Sequence, residues 1–144
     1  MRFIILAFLF VTCVTTQALA CGKSDKDADF EVSVYKRAKG INCRYFKFIY
    51  PKSIGIHKVD FVEFFTDQEI GATLKITEAG ENKYSSAICM NETFLETSKI
   101  IFTFITPHEE ELRKKNIVSF CVPKTIEINN LAELLVVKDD DESK

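Results

Sequence analysis

Residues 43–50 read Cys-Arg-Tyr-Phe-Lys-Phe-Ile-Tyr, and alternate residues of this stretch, Phe46, Phe48 and Tyr50, are aromatic. In an extended chain every second side chain points to the same side, so the three rings would share one face. Pro51 follows, and proline has no amide hydrogen to donate inside a sheet. The stretch therefore predicts a β-strand that buries one face and stops near Pro51.

The same two-residue period recurs on both sides of this strand. Upstream, residues 30–35 alternate between apolar and more polar side chains, and the run stops at Gly40. Downstream, a hairpin turn is predicted at 79–82, and strands are predicted at 54–65, 72–77, 84–90, 99–105 and 117–122. The alternation slips near Phe61, which indicates a β-bulge.

One helix is expected to interrupt the strands. Thr106 and Glu109 have the spacing of a capping box, and Pro107 stands at the first helical position. Residues 109–115 are acidic at their start and basic at their end, as the helix dipole favours. A weaker cap before residues 131–137 leaves open whether that segment is a helix or a strand.

Together these elements predict a mainly β fold, an antiparallel β-sandwich or barrel with one short helix, stabilised by disulfides. The domain would span residues 29–137, after a flexible lead-in at 21–28. Three of the thirteen phenylalanines lie in the first twenty residues, so the other ten are the expected core material. Residues 138–144 are almost entirely charged and are predicted to be a disordered acidic tail.

The N-terminus has the layout of a secretory signal peptide. Arg2 is followed by the apolar stretch 3–11, and Ala18 and Ala20 supply the small residues before a cleavage site after Ala20. The stretch is shorter than the roughly 20 apolar residues that a transmembrane helix needs, and no later segment could span either. We expect a secreted, extracellular protein. The alternative, a bacterial lipoprotein lipidated at Cys21, fits less well because Ala18 stands where leucine or valine is usual.

The cysteines favour disulfides over a metal. Five are present, and Cys13 would leave with the signal peptide. An even number in an oxidising compartment indicates two bridges, although three pairings are possible. Because Cys89 and Cys121 both lie in strand-like runs, that pairing is favoured here, with Cys21 joined to Cys43. No Cys-x-x-Cys pair is present, so a zinc site is not expected.

Charge and motifs exclude several functions. Arg2 is the only charge in the signal peptide, so the mature chain has 18 basic and 21 acidic residues and a net charge of about −3. Such a chain lacks the concentrated basic surface that nucleic acids require. The two histidines, His57 and His108, lie beside no nucleophile motif. The sequence therefore predicts no catalytic residues, no metal and no cofactor.

One modification motif is specific. Asn91-Glu92-Thr93 is an N-glycosylation acceptor without proline at its middle position. It lies between two predicted strands, so we expect Asn91 in an exposed loop.

Residues 56–60, 71–77 and 100–104, together with Gly80, resemble the insect multiprotein bridging factor two family, a group of small secreted proteins that includes salivary peptides. The resemblance covers roughly residues 45–105. The family's paired glycines at the turn are reduced here to Ala79-Gly80, and the Cys121 region and the acidic tail have no counterpart. The resemblance implies a β-rich protein of saliva, venom or haemolymph, with no catalytic residues to transfer.

Three functions are compatible with these features. The first is a secreted, non-enzymatic effector or binding protein that acts through its surface on an unknown extracellular protein. The second is a carrier of a lipid or other apolar ligand, resembling the lipid-recognition domains related to myeloid differentiation factor two. In a carrier, five phenylalanines would line a cavity between the sheets: Phe61, Phe64, Phe65, Phe102 and Phe104. The third, a small hydrolase or protease inhibitor, has the least support.

Overall fold

The structure is a computed structural model, and it describes residues 30–39, 43–119 and 122–136. The predicted signal peptide 1–20, the lead-in 21–28 and the acidic tail 138–144 lie outside the described residues. Cys21 and Cys121 lie outside them as well.

The described chain forms two antiparallel sheets. Sheet A has the strand order β1-β2-β7-β6. Its strands are β1 Ser33–Lys39, β2 Arg44–Pro51, β6 Thr77–Gly80 and β7 Lys83–Met90. Strand β2 confirms the pattern of residues 43–50, because Phe46, Phe48 and Tyr50 are all buried in the core.

Sheet B has the order β3-β4-β8-β9, and β5 also pairs with β4. Its strands are β3 Ser53–Ile54, β4 His57–Phe65, β5 Gly71–Leu74, β8 Lys99–Ile105 and β9 Lys124–Asn129. The register between β4 and β8 shifts between Val59 and Phe61. This shift places the predicted bulge at Asp60.

Three short helices complete the part of the chain that the structure describes. They are α1 Pro107–Lys114 and the 3₁₀ helices η1 Glu92–Phe94 and η2 Leu131–Leu134. After η2, Leu135 forms a parallel bridge to Val34 of β1. The predicted mainly β sandwich with one short α-helix is confirmed.

The chain crosses between the sheets on both lateral sides of the sandwich. On one side β5 of sheet B continues into β6 of sheet A through residues 75 and 76. On the other side η2 leads from β9 to β1, where the amide of Val136 donates to the carbonyl of Val34 over 2.8 Å. The core lies between these crossings and is filled by aromatic and aliphatic side chains, most of them from the two sheets.

Three predicted strands differ from the structure. The predicted strand 54–65 is divided into β3 and β4 by a turn at Gly55-Ile56, where Gly55 takes a positive φ of 54°. The predicted strand 72–77 is divided between β5 and β6, because the chain changes sheets at Lys75-Ile76. The predicted strand 117–122 is wrong in its described part, and β9 begins only after Pro123. The missed strand has an alternating signal of its own, with half-buried Ile126 and Ile128 beside exposed neighbours.

The disulfide pairing that we favoured is also wrong. Cys43 bonds to Cys89, with a Cα–Cα distance of 5.5 Å. Strands β2 and β7 are antiparallel neighbours, and Tyr45 lies opposite Cys89. This register brings Cys43, just before β2, to the end of β7 that carries Cys89. The register of two strands 46 residues apart in the chain could not be inferred from local patterns.

Candidate functional site

Helix α1 is defined at both ends by local hydrogen bonds. At its start the hydroxyl of Thr106 accepts from the amide of Glu109 over 3.2 Å, and the Glu109 carboxylate accepts from the amide of Thr106 over 2.8 Å. At its end Asn116 takes a positive φ of 57°, and the amide of Ile117 donates to the carbonyl of Leu112 over 2.9 Å. The amide of Asn116 also donates to the carbonyl of Arg113 over 3.0 Å, and the two bonds form a Schellman motif. Ile117 therefore belongs to the cap that follows the helix and does not begin a strand.

An ion pair joins α1 to the bulge of β4. Both terminal nitrogens of Arg113 donate to the Asp60 carboxylate, each over 2.8 Å. Because a carboxylate accepts both bonds, the pKa of the Arg113 guanidinium lies above its usual value. None of the residues of α1 is buried. The caps stabilise the helix itself, and the Asp60–Arg113 pair joins the helix to sheet B.

An outer groove of about 460 Å³ lies on one side of the Asp60–Arg113 pair. It is formed between the outward face of sheet B, the helix and the segment after the helix. Three of its lining residues are apolar and exposed: Phe61 by 38%, Ile117 by 51% and Val118 by 75%. Val122, next to the lining residue Pro123, is 91% exposed. Exposed apolar side chains of this number around one groove are typical of an interaction surface.

An inter-sheet groove of about 480 Å³ lies on the other side of the same pair. Its apolar lining comes from Val59, Ile76, Tyr84 and Ile105, and charged side chains of β4, β6 and α1 form its rim. The groove lies along β4 between its two edge partners, because β3 pairs as far as Lys58 and β5 begins to pair at Val62. Within this gap the amide of Val59 donates to the carbonyl of Lys52 over 2.9 Å.

The interior of the sandwich is occupied by packed rings. Phe30 lies 4.8 Å from Phe102 and 5.3 Å from Phe104, and Tyr50 lies 4.7 Å from Phe102, all between ring centroids. The hydroxyl of Tyr50 is hydrogen-bonded to that of Ser86 over 2.7 Å. Burial raises the pKa of Tyr50, so its phenol stays protonated over the physiological range.

The five phenylalanines proposed to line a ligand cavity do not all line one cavity, although Phe61 and Phe104 both border the outer groove. Phe64, Phe102 and Phe104 are buried in the core. Phe61 faces the outer groove, and Phe65 lies on the outward face of β4, where the ammonium of Lys99 is 6.0 Å from its ring. Successive residues of a strand point to opposite faces of the sheet. The five phenylalanines therefore do not all lie on the same face of sheet B.

The histidines occupy separate places. His57 is 4% exposed, and its Nδ1 has no hydrogen-bond partner among the described residues. His108 is exposed in the first turn of α1. In the described part of the chain, no three His, Cys, Asp or Glu side chains are grouped so that they could hold a metal ion. Over the same ranges, no helix has the length and apolar character needed to cross a membrane.

The predicted modification site lies at the end of β7. Asn91 is exposed and caps η1, and its side-chain oxygen accepts from the amide of Thr93 over 3.2 Å. The Glu92 carboxylate accepts from the Lys36 ammonium over 2.5 Å, and the Arg44 guanidinium lies 3.6 Å away. The hydrogen bond from Lys36 holds the pKa of Glu92 below its usual value.

The two grooves were not predicted from the sequence. Asp60 and Arg113 are 53 residues apart, so no local pattern relates them. The slipped alternation near Phe61 was the only signal, since a bulge turns a side chain out of the normal register. No family model, curated protein or solved structure significantly matches this chain.

Proposed function

We propose that this chain is a secreted, non-enzymatic binding protein of saliva, venom or another body fluid, and that it acts through the outer groove beside α1. The observation that carries the proposal is the exposure of Phe61, Ile117 and Val118 in one groove. Removing apolar surface from water is favourable by roughly 25 cal/mol for each Å² that is covered. A partner that covers them gains this free energy.

The charges at the groove indicate the chemistry of the partner. Asp60 and Glu109 bring two carboxylates to the lining, and Arg113 brings one guanidinium. The mature chain that we predict is also net acidic. We therefore propose an extracellular protein that presents an apolar segment flanked by basic residues.

Several features support secretion. The first twenty residues have the signal-peptide layout, and the Cys43–Cys89 bond is of the kind that persists in oxidising compartments. The resemblance of residues 45–105 to the multiprotein bridging factor two family favours the same class of small secreted protein. Asn91 fits this destination as an attachment site for a glycan.

A second candidate function is supported by the inter-sheet groove. Val59, Ile76 and Ile105 could contact one apolar ligand, while the charged rim holds its polar end. The packed rings below the groove leave this carrier function with less support, because a long acyl chain could not pass between the sheets without displacing Phe30 or Tyr50.

Photo-crosslinking tests the surface proposal. The full chain is expressed in a secreting eukaryotic cell line, and a photoreactive residue replaces Val118. A matched protein carries it at Ile70, which is 64% exposed and lies outside both grooves. After irradiation with a set of extracellular proteins, we expect an adduct from position 118 that Phe61→Asp abolishes. Equal adducts from both positions, or an adduct that survives Phe61→Asp, would contradict the proposal.

Extraction of the secreted protein tests the carrier function. Mass spectrometry of the organic extract is expected to show no stoichiometric lipid, and added fatty acids should not raise the melting temperature. A bound lipid that is lost on Val59→Asp would replace the surface proposal with the carrier.

N-terminal sequencing of the same material should begin at Cys21, and retention of the chain inside the cell would contradict secretion.

A further inference from the structure

We infer that Asn91 carries an N-linked oligosaccharide and that this glycan covers the end of the sandwich remote from α1. The inference rests on the proposed secretion, since the modification takes place in the secretory pathway. It goes beyond the sequence motif because the structure assigns the site a position, a local geometry and neighbouring side chains.

The backbone at the site leaves the acceptor amide accessible. Asn91, Glu92 and Thr93 are all exposed, so the folded chain offers no steric barrier to a sugar at this point. The side-chain oxygen of Asn91 is already used, because it accepts from the amide of Thr93. The side-chain nitrogen of Asn91, the atom that a sugar would join, takes no part in this hydrogen bond.

The middle residue of the motif holds the turn in place. Glu92 contacts Lys36 of β1 and Arg44 of β2, so η1 is tied to the neighbouring strands of sheet A. Cys89, two residues before Asn91, is bonded to Cys43 in the same region. A glycan on Asn91 would therefore project from a fixed point of the fold.

The modification transfers an oligosaccharide from a lipid carrier to the side chain of Asn91. The side-chain nitrogen of Asn91 loses one proton and forms a bond to the anomeric carbon of the first sugar. The bond from that carbon to a lipid-linked pyrophosphate breaks, and the lipid pyrophosphate leaves. The donor is thus a lipid-pyrophosphate oligosaccharide, and no oxidant or reductant is needed.

The glycan site and the inter-sheet groove lie at opposite ends of β7. Tyr84, near the start of β7, lines the inter-sheet groove, whereas Asn91 follows the last residue of that strand. Seven residues of strand separate them by about 24 Å. The glycan therefore leaves the inter-sheet groove open at Tyr84. At its own end it lies near two exposed aromatic residues, Phe94 and Tyr45, which are 39% and 50% exposed.

Translation of the full chain with eukaryotic microsomes tests the inference. Protease protection reports translocation, and peptide N-glycosidase reports the glycan. We expect one discrete increase in mass that the glycosidase removes, together with conversion of Asn91 to aspartate in the released peptide. Asn91→Gln and Thr93→Ala should both abolish the increase, whereas Thr93→Ser should retain it. Asn82→Gln, at an exposed asparagine outside any such motif, is the matched control and should keep the full increase.

The outcomes separate this inference from the proposed secretion. A chain that is protected from protease but unchanged in mass would overturn the glycan and leave secretion standing. A chain that is never protected would overturn both. An increase in mass that persists in Asn91→Gln and Thr93→Ala would place the sugar elsewhere and also overturn the inference.

Discussion

Phe61 and Phe102 show how two residues of one type in the same sheet differ in role. Strands β4 and β8 are neighbours in sheet B, but Phe102 is 0% exposed and Phe61 is 38% exposed. Phe102 contacts the rings of Phe30 and Tyr50, whereas Phe61 lines the outer groove. The core therefore depends on the first residue, and the proposed binding surface depends on the second.

Replacement of these residues should separate stability from binding. Phe102→Ala removes a ring from a packed interior, so we expect the free energy of unfolding to fall by about 3–5 kcal/mol. Phe61→Ala leaves no enclosed cavity and should cost less than about 1 kcal/mol. Urea denaturation of both variants measures the difference. Equal losses would show that Phe61 belongs to the core and would remove it from the proposed surface.

The pKa of Glu92 predicts a pH dependence. Because this pKa lies below its usual 4.5 in the folded state, the folded chain releases the Glu92 proton more readily than the unfolded chain does. The stabilisation is complete above pH 4.5 and is lost as the pH falls through the lower folded-state pKa. Since the side chain is 45% exposed, solvent screening should limit the effect to less than about 1 kcal/mol.

The variant Glu92→Gln tests this dependence and leaves the glycosylation motif intact. It should be slightly less stable than the wild type at pH 7, and the difference should shrink as the pH falls below 4.5 through the lowered folded-state pKa of Glu92. Glu81→Gln is the control, because Glu81 is exposed and has no ion pair among the described residues. A stability difference at Glu92 that is constant with pH would contradict the role of its ion pairs.

At the scale of elements, α1 is held in place by few contacts. It buries none of its residues, so hydrophobic packing contributes little to its position. The capping box at Thr106, the Schellman motif after Lys115 and the Asp60–Arg113 pair remain. Both grooves share Asp60, Ile105 and Arg113, so the helix determines the shape of each.

Loss of the cap should therefore loosen α1 before it affects the sheets. Thr106→Ala removes the side-chain half of the capping box, which is worth about 0.5–2 kcal/mol. We expect faster hydrogen exchange at amides of α1, with exchange in β4 and β8 unchanged. Thr125→Ala, at an exposed threonine of β9, is the matched control. Unchanged exchange in α1 would show that other contacts hold the helix.

For the whole molecule, the disulfide constrains the unfolded chain more than it shapes the folded one. Cys43 and Cys89 are 46 residues apart, although their strands are already paired in sheet A. Closing a loop of this length lowers the entropy of the unfolded state, which corresponds to about 4 kcal/mol. The bond therefore stabilises the fold without defining its topology.

A double replacement of Cys43 and Cys89 by serine should lower the free energy of unfolding by up to about 4 kcal/mol and leave the β content unchanged in circular dichroism. A non-reducing peptide map of the wild type should recover the two cysteines in one cross-linked fragment. Because Cys43 is bonded to Cys89, the second bridge that we predict would join Cys21 to Cys121. A free thiol at either cysteine would contradict it.

The sequence by itself determined the class of fold and many of its local elements. Alternating side chains predicted β2 and β8, the capping box predicted α1, and the slipped pattern near Phe61 predicted the bulge, because each depends on residues close together in the chain. Only the tertiary structure decided the Cys43–Cys89 pair, the crossing of residues 72–77 between sheets and the grooves beside Asp60 and Arg113. These features depend on strand register and on contacts tens of residues apart, which no local period encodes.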